Sequence, residues 1–529
     1  MADAAARPLG ASPPDFRPWA DALRQHARQW TQGTLLAELC PQAVALWTEQ
    51  GPVSFAALEA RVVQWMTLLH DQGLRAGDGL VVVSRNRVEF IEVLLAAMRL
   101  GLRLTPVNPQ LTAPELAYIL RDSLARGVLH EGREDLDLPS GTRSWALGSA
   151  ALEAALEGAR SSGMSPPPPA PQCGQLMVYT SGTTGRPKGV WRREPEFVDP
   201  QFAGTFADYR PGDVQLCAGP AYHSAPLLFD VRWPLASGVP IVLMSRFDAA
   251  AVLAAIARHR VTHAHFVPTM FARLLALPEA ERARHDVRSL RFVVHGAAPC
   301  PVAVKRAMIE WWGPVITEYY AATEGGHGVH VSAQDWLQRP GTVGRMHPAL
   351  GHRIVDAHGK DVAPGEVGRI YFKAPETGRF EYFGDPEKTA GAYANGWFTL
   401  GDMGRVDSEG WLYLTGRDAE TIISGGVNIY PREVDDALRS HEAVADVCTV
   451  GAPDADWGER VVAVVVTAAG HKPGPALAEA LQRHAATGLA PFKRPREIVF
   501  REALSYTGTG KLMRQAVRDT FWSDVGRQL

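Results

Sequence analysis

Residues 179–190 read Tyr-Thr-Ser-Gly-Thr-Thr-Gly-Arg-Pro-Lys-Gly-Val and follow a short apolar run at 176–178 that predicts a strand. Glycines let the backbone turn several N–H groups towards one anion, and the hydroxyls and two cations add donors and positive charge. The stretch is therefore typical of a loop that holds phosphate oxygens, with an ordinary glycine-rich turn as the alternative. It is not a Walker A loop, because glycine follows Lys188 where that motif has serine or threonine. The residues predicted to bind phosphate are Thr180, Ser181, Gly182, Thr183, Thr184, Gly185 and Lys188.

The loop resembles the signature phosphate loop of the adenylate-forming superfamily. That superfamily includes acyl- and aryl-CoA synthetases, luciferases and the adenylation domains of peptide synthetases. The resemblance extends over nearly the whole chain, from about residue 54 to residue 514. It implies an α/β fold with a large N-terminal domain of stacked α/β subdomains, a small β-subdomain and a small, mobile C-terminal α+β domain. It also implies that the protein binds ATP and a carboxylic acid.

The composition predicts a globular protein with several domains. The chain has 529 residues, more than a single core supports, and 46% of them are apolar and 21% charged. A net charge of −3 without a basic stripe argues against nucleic acid as a partner. The five cysteines are scattered, which favours a reducing cytoplasm. We expect neither a secretory signal nor a transmembrane segment.

The order of the apolar runs favours strands that alternate with helices in the first part of the chain. A helix from Ser54, a strand at 79–84 and a helix at 88–98 follow one another, and the alternation is typical of parallel α/β pairing. Further along the chain, a helix is predicted at 249–259. Short strands at 366–372 and 410–415 then predict a β-subdomain. The predicted divisions are a loose N-terminal arm at 1–19, a large domain at 20–416 with its β-subdomain at about 345–416, a hinge at 417–420 and a small domain at 421–529.

The second informative segment, 318–326, resembles the superfamily's Tyr-Gly-x-Thr-Glu motif. A tyrosine ring offers a flat face for a purine, and a carboxylate is a hard oxygen ligand suited to Mg²⁺. The match implies that Tyr320 stacks on adenine and that Thr323 bonds a phosphate oxygen. It implies that Glu324 binds Mg²⁺, with Thr183 of the loop as a second ligand, so Thr323 and Glu324 count as catalytic. Core packing of the tyrosines and a surface position for Glu324 are the alternatives.

Three shorter segments resemble the superfamily's adenosine site. Gly296, Ala297 and Ala298 follow a predicted strand and match the loop that contacts adenine. Asp402 matches the aspartate that accepts hydrogen bonds from both ribose hydroxyls, since a carboxylate can do so in a bidentate way. Arg417 matches the arginine just ahead of the hinge, which contacts ribose or phosphate. Each of these would be unremarkable alone, and their order and spacing carry the prediction.

The acyl pocket is predicted from three positions. His223 matches the place where an aromatic residue or histidine lines the route from the nucleotide to the acyl group, and a structural histidine is the alternative. Ala321 and Ala322 lie in the tyrosine motif and are assigned to the same pocket. The superfamily usually has glycine at the position of Ala321, so its methyl group is expected to narrow the pocket mouth.

Two glycine-containing segments of the small domain complete the predicted site. A lysine on a glycine-rich tip can enter a site and leave it, and Lys511 resembles the superfamily's catalytic lysine, which stabilises charge at the carboxylate and the α-phosphate. The hinge departs from the usual pattern, because Ala419 stands where Asp or Lys is common. The segment that resembles the CoA channel contributes Ser424, Gly425 and Gly426.

These matches predict an ATP-dependent carboxylate–CoA ligase for a fatty or other hydrophobic acid, with ATP and CoA as co-substrates and Mg²⁺ as cofactor. One alternative is a ligase that forms acyl-AMP and passes the acyl group to an acyl carrier protein. The alternative of another class is a non-catalytic binder of nucleotide or acyl groups. The sequence leaves the identity of the acid open, and a homodimer is one option for its assembly.

Overall fold

The computed structural model describes residues 18, 20–161, 165–180, 187–194, 198–346, 351–417, 420–424, 427–454, 457–507 and 510–522. Within these ranges the chain forms a mixed α/β fold with a large N-terminal and a small C-terminal domain, which confirms the predicted fold class. The predicted N-terminal arm lies almost wholly outside the described residues. In the part that is described, no helix is both long and apolar enough to cross a membrane.

The first sheet of the large domain is wholly parallel and is built around the buried strand Gly79–Val83. Helix Phe55–Asp71 is capped at its N-terminus by Ser54, whose hydroxyl accepts a hydrogen bond from the Ala57 N–H at 3.2 Å. This helix and Val88–Arg99 contribute most of their apolar faces to the adjoining core. The strands follow in the order Arg143–Ala146, Ala125–His130, Gly79–Val83, Arg103–Val107 and Gln175–Leu176.

The second sheet has eight strands, parallel in the middle and antiparallel at both edges. In parallel sheets of this kind ligands bind beyond the carboxyl ends of the strands. Three neighbouring strands end at Phe266, His295 and Ala322, so the chain segments that follow them lie along one sheet edge. The order is Gly325–Ser332, Ile316–Ala322, Phe292–His295, His263–Phe266, Gln215–Cys217, Ile241–Leu243, Val44–Thr48 and Gly51–Ser54.

A six-stranded antiparallel sheet follows in the chain and packs around Ile370 and Leu412, which are fully buried. A separate three-stranded sheet joins Lys188–Arg192, just after the predicted phosphate loop, to Val178–Thr180 and Phe380–Tyr382. The six strands are Gly344–Arg345, Trp411–Arg417, Trp397–Val406, Gly368–Lys373 and His352–Val355, with Tyr393–Ala394 paired to Trp397–Val406.

The small domain contains a five-stranded sheet covered by three helices, Pro431–Arg439, Pro475–Gly488 and Arg514–Trp522. Its central strands alternate between two apolar clusters, one on each face, which explains why Val461 to Val465 are all buried. The strands are Val427–Ile429, Ile422–Ser424, Gly458–Thr467 and Val444–Asp454, with Glu497–Phe500 parallel to Gly458–Thr467.

The remaining helices lie in the large domain. The sequence predicted the bounds of Ala249–His259, where Asp248 caps the first turn and Arg260 leaves the helix at φ +50°. It did not predict the first two helices or the π-helical turn Leu227–Arg232. The other helices are Ala20–Ala27, Gln32–Leu39, Ala113–Asp122, Ala150–Ser161, Pro200–Ala207, Ser224–Pro226, Trp233–Ser237, Pro268–Leu275, Glu279–Ala283, Val302–Trp312, Ala333–Gln338 and Pro386–Ala392.

Candidate active site

Two connected cavities lie between the domains, with volumes of about 1910 Å³ and 2420 Å³. Residues of both domains line them, and several residues line both, so the cavities share a wall. The structure therefore brings together predicted residues from segments that are far apart in sequence. The predicted residues on the cavity walls are Thr180, His223, Ala297, Ala298, Tyr320, Ala321, Ala322, Thr323, Glu324, Asp402, Arg417 and Lys511.

Asp402 lines the smaller cavity and is the centre of a hydrogen-bonded group whose other two members, Tyr320 and Arg417, line both cavities. The Tyr320 hydroxyl donates to Asp402 Oδ2 at 2.7 Å, and Arg417 Nε donates to Oδ1 at 3.0 Å. Asp402 and Arg417 are register partners on adjacent antiparallel strands, which fixes the ion pair. Each carboxylate oxygen accepts one of these hydrogen bonds, so the orientation of the Asp402 carboxylate is fixed.

Burial and charge shift the pKa values in this group. Burial raises the pKa of Tyr320 well above its ordinary value, and the Asp402 carboxylate raises it further, so the phenol stays protonated as a donor. Burial lowers the pKa of Arg417, but the carboxylates of Asp402, Glu420 and Glu324 outweigh it and raise the pKa overall. The group therefore pairs the Arg417 guanidinium with the Asp402 carboxylate, and the neutral Tyr320 phenol donates to the same carboxylate.

Glu324 and Thr323 lie at the carboxyl end of strand Ile316–Ala322. The Tyr382 hydroxyl donates to Glu324 Oε1 at 3.1 Å, and the Thr323 and Ser224 hydroxyl oxygens are 2.9 Å apart. Lys188 makes a cation–π contact with Tyr382, and its Nζ lies 4.7 Å from the centroid of the tyrosine ring. Glu324 is thus tied to the three-stranded sheet that flanks the predicted phosphate loop.

The residues present fit a magnesium ion bound with a nucleotide. In such sites Mg²⁺ keeps several waters and binds through one or two protein oxygens and the substrate phosphates. Glu324 supplies a carboxylate on the wall of the larger cavity, oriented by Tyr382. Thr183, the second predicted ligand, lies outside the described residues. Among those that are described, no three His, Cys, Asp or Glu side chains form a group that could hold a metal.

Lys511 of the small domain lies at the same wall as the Asp402 group. Burial lowers the pKa of Lys511, and the neighbouring Arg417 guanidinium lowers it further, while the carboxylates of Glu420, Asp402 and Glu324 oppose this. The Lys511 N–H donates to the Thr507 hydroxyl oxygen at 3.1 Å. Lys511 is half-buried and lines both cavities.

The loop that begins at Gly296 is shaped by a tyrosine. A Cβ atom at Gly296 would lie 2.6 Å from the Tyr319 ring and 2.8 Å from the Tyr319 carbonyl oxygen, so glycine is required there. Ala297 adopts φ +67°, which is unusual for a residue with a side chain. Ala297 and Ala298 line the cavities, whereas Gly296 does not, so its structural role is to permit close packing.

The larger cavity has an apolar, aromatic part next to His223. Burial lowers the pKa of His223 to about 4, so the imidazole is neutral at physiological pH, and its Nε2 makes no hydrogen bond among the described residues. Beyond it the π-helical turn Leu227–Arg232 brings Phe229 to the wall. The aromatic residues around this part are Phe206, Phe229, Trp233 and Tyr319, with ring centroids of contacting pairs 4.8–6.5 Å apart.

Several predicted residues lie elsewhere or outside the described ranges. Lys188 belongs to strand Lys188–Arg192 and does not line either cavity. Ser424 ends strand Ile422–Ser424, is 7% exposed and does not line either cavity. The residues whose roles stay predictions because they lie outside the described ranges are Ser181, Gly182, Thr183, Thr184, Gly185, Gly425 and Gly426.

Sequence reasoning missed residues that support the site from a distance. Tyr382 hydrogen-bonds Glu324, and Ser224 hydrogen-bonds Thr323. Neither Tyr382 nor Ser224 lies in a sequence motif that predicts this contact. Glu420 lies near Lys511 and accepts a hydrogen bond from Arg514 Nε at 3.2 Å. Arg514 also donates to Asp435 Oδ2 at 2.7 Å, so it ties the end of the lysine segment to the small domain. Arg514 follows the lysine loop by three residues, and that proximity was an available signal.

Comparisons with known proteins identify the class of the protein as an adenylate-forming ligase. The sequence model described as AMP-binding enzyme matches residues 36–380, and that of the AMP-binding enzyme C-terminal domain matches residues 433–511. The chain belongs to the AMP-binding enzyme family and to its acyl-CoA ligase branch.

The similar proteins include ligases with different acids and acceptors. Feruloyl-CoA synthase of Amycolatopsis sp is 33% identical over 502 residues, covering 92% of this chain and 97% of that enzyme. Fatty acid–[acyl-carrier-protein] ligase ScoC of Streptomyces coeruleorubidus is 29% identical over 505 residues, covering 92% and 95%. The ATP-bound structure of MatB from Rhodopseudomonas palustris has a TM-score of 0.80 and 27% identity, covering 95% of this chain and 100% of that chain.

Proposed function

We propose that the protein is an ATP-dependent carboxylate–CoA ligase that forms acyl-AMP with release of pyrophosphate and then transfers the acyl group to the CoA thiol. One observation carries the proposal: Lys511 of the small domain lines the same cavity as Asp402 and Arg417 of the large domain. A non-catalytic binder has no need for a half-buried lysine on the wall shared by a nucleotide site and an apolar pocket.

The first half-reaction needs AMP as a leaving group, because oxide leaves a carboxylate poorly. The carboxylate attacks the α-phosphate of ATP, and pyrophosphate leaves. The Lys511 ammonium stabilises the negative charge shared by the attacking carboxylate and the α-phosphate. We expect residues 180–185 and Lys188 to hold the departing phosphates. Glu324 and Thr183 would hold a Mg²⁺ ion, which would supply positive charge to offset that of the phosphates.

The adenosine part is held by the large domain. Tyr320 and the loop 296–298 receive the adenine, and Asp402 accepts hydrogen bonds from the ribose hydroxyls. The fixed orientation of Asp402 between Tyr320 and Arg417 supports this role, since both oxygens of the carboxylate are positioned before the ligand binds. Thr323, whose hydroxyl oxygen is 2.9 Å from that of Ser224, bonds a phosphate oxygen.

The acid occupies the aromatic part of the larger cavity. His223, Ala321 and Ala322 line this cavity, and a neutral His223 adds no positive charge that would hold the acid away from Lys511. Phe229 and Trp233 support a fatty or other hydrophobic acid. Feruloyl-CoA synthase and a fatty acid ligase among the similar proteins are in keeping with this class.

The second half-reaction uses a different arrangement of the small domain. We propose that this domain, residues 421–529, rotates about a hinge at 417–420 and turns Ser424, Gly425 and Gly426 towards the thiol. The buried position of Ser424 away from the cavities in this structure supports such a rotation. An acyl carrier protein is the alternative acceptor, because the similar ligase ScoC is named for one. Five free thiols support a reducing compartment such as the cytoplasm.

The test is a pyrophosphate-release assay over a panel of fatty, aryl and short polar acids, with and without CoA and with holo acyl carrier protein as the second acceptor. The expected result is acid-dependent pyrophosphate release and formation of acyl-CoA with the hydrophobic acids. Reactions without acid and reactions with EDTA control for ATP hydrolysis and for metal dependence. If none of the acids in the panel gives pyrophosphate release, the proposal is contradicted. Acyl transfer to the carrier protein but not to CoA would establish the alternative.

A further inference from the structure

Gly510 of the small domain contacts Thr269 of the large domain directly next to the catalytic lysine. Gly510 immediately precedes Lys511, and Thr269 is the second residue of helix Pro268–Leu275. A Cβ atom placed on Gly510 would overlap the Thr269 hydroxyl oxygen and lie 3.1 Å from Thr269 Cβ and Cγ2. The backbone at Gly510 therefore leaves no room for a side chain between it and Thr269.

Hydrogen bonds among the described residues Thr507, Gly510 and Lys511 couple the position of Gly510 to that of Lys511. The Thr507 N–H donates to the Lys511 carbonyl oxygen at 2.8 Å, and the Gly510 N–H donates to the Thr507 carbonyl oxygen at 2.8 Å. The Lys511 N–H donates to the Thr507 hydroxyl at 3.1 Å, and Tyr506 and Leu512 form an antiparallel bridge. With the backbone of Gly510 fixed by these bonds, a shift at Gly510 moves Lys511 as well.

Thr269, the large-domain partner in this contact, lies on a well-packed helix. Helix Pro268–Leu275 follows the central strand His263–Phe266, and its residues Phe271 and Leu274 are completely buried in the large domain. Thr269 lines the smaller cavity, on whose wall Lys511 also lies. A side chain on a packed helix defines a position more precisely than one on a loop.

We propose that Thr269 is a positioning residue for adenylation: the close contact between Thr269 and Gly510 sets the depth at which the small domain inserts Lys511. The inference rests on the proposed function, since it assigns the contact to the first half-reaction. The contact joins the two domains, so it is lost when the small domain rotates for thiol transfer. Its effect is therefore confined to the formation of acyl-AMP.

The experiment is a double-mutant cycle of Gly510→Ala and Thr269→Ala, with each half-reaction measured separately. Adenylation is measured as single-turnover pyrophosphate release with the best acid of the panel and no CoA. Thiol transfer is measured from synthetic acyl-AMP and CoA. Gly510→Ala is expected to slow adenylation about 100-fold, because a misplacement near 1 Å can cost that much. Thiol transfer is expected to change less than about threefold, since its rate does not depend on the contact.

The second substitution separates the contact from backbone strain. Gly510 has φ +73°, so alanine there is strained whatever lies opposite. Thr269→Ala removes the overlapping hydroxyl and the methyl group, leaving a Cβ at 3.1 Å, and should restore adenylation by the Gly510→Ala enzyme at least about tenfold. No restoration, an equal loss in both half-reactions, or full adenylation by Gly510→Ala would each overturn the inference. If the wild-type enzyme releases no pyrophosphate, the proposed function itself fails, and the inference fails with it.

Discussion

Replacing Lys305 by methionine tests the buried ion pair with Glu318, which lies next to the strand that ends just before Gly296. Lys305 is 0% exposed and Glu318 6% exposed, and Lys305 Nζ lies 2.6 Å from Glu318 Oε2. Glu318 is the register partner of His295, the residue just before Gly296. Burial lowers the pKa of Lys305 and raises the pKa of Glu318, and the attraction within the pair does not fully reverse either shift.

The expected magnitude follows from these two opposing effects. At 2.6 Å and an effective dielectric constant of about 20, the attraction is about 6 kcal/mol. Removing each ion from water costs several kcal/mol, so the pair as a whole is close to neutral. Lys305→Met keeps most of the apolar stem but leaves the Glu318 carboxylate buried without its ammonium partner. The free energy of unfolding is therefore expected to fall by about 3–5 kcal/mol.

Urea unfolding followed by tryptophan fluorescence measures this loss, because Trp336 lies 4.7 Å from Lys305 Nζ. The double variant Lys305→Met and Glu318→Leu should recover most of the stability, since no buried charge remains. Lys388→Met is the matched control: it removes the cation of a surface pair of the same 2.6 Å length, with Asp385, and should leave the midpoint unchanged.

The pH dependence gives an independent check of the same reasoning. In Lys305→Met the pKa of Glu318 in the folded protein lies above its unfolded value, so the folded state binds a proton that the unfolded state has released. The loss of stability should shrink as the pH falls through the folded-state pKa. A loss below about 1 kcal/mol at neutral pH, or a double variant no more stable than the single one, would refute the account of this pair.

Three further predictions concern the active site. Asp402→Ala should raise the KM for ATP at least about tenfold, because it removes the acceptor that Tyr320 and Arg417 hold towards the ribose; an unchanged KM for ATP would argue against that role. Tyr382→Phe removes the 3.1 Å hydrogen bond to Glu324 and should raise the Mg²⁺ concentration needed for half-maximal pyrophosphate release roughly threefold, and an identical Mg²⁺ titration would count against Glu324 as the ligand. The adenylation rate should decline on the alkaline side at a lower pH than an ordinary lysine would give, because the ammonium is lost as the pH rises through the lowered pKa of Lys511. A pH–rate profile of Lys511→Arg should show this decline at a higher pH, and coincident profiles of the two enzymes would contradict the prediction.

Elements with a strong local pattern were predictable from the sequence. Helix Ala249–His259 is predicted with both ends correct, because an aspartate cap, an alanine-rich apolar face and a basic last turn all agree. Helices Ala20–Ala27 and Gln32–Leu39 were missed. They are short, and their place depends on packing that buries Leu23 and Leu36 against the rest of the large domain.

The candidate site divides in a similar way. Lys511, Asp402 and Arg417 were predicted because each lies in a motif with a fixed chemical role, and the structure brings all three to one wall. Thr269 and Tyr382 were not predicted, because what they contact lies 241 and 58 residues away in the chain, at Gly510 and Glu324. Such tertiary contacts depend on how segments that are distant in the chain pack together in the fold, and a single sequence does not predict that packing.

The most direct test of the central claim is to compare the two half-reactions of the Lys511→Ala enzyme. Acyl-AMP formation is measured by pyrophosphate release with acid and ATP, and thiol transfer is measured with supplied acyl-AMP and CoA. If Lys511 acts at the α-phosphate, acyl-AMP formation is abolished while thiol transfer stays largely intact. An equal loss of both half-reactions, or acyl-AMP formation at the wild-type rate, would contradict the account.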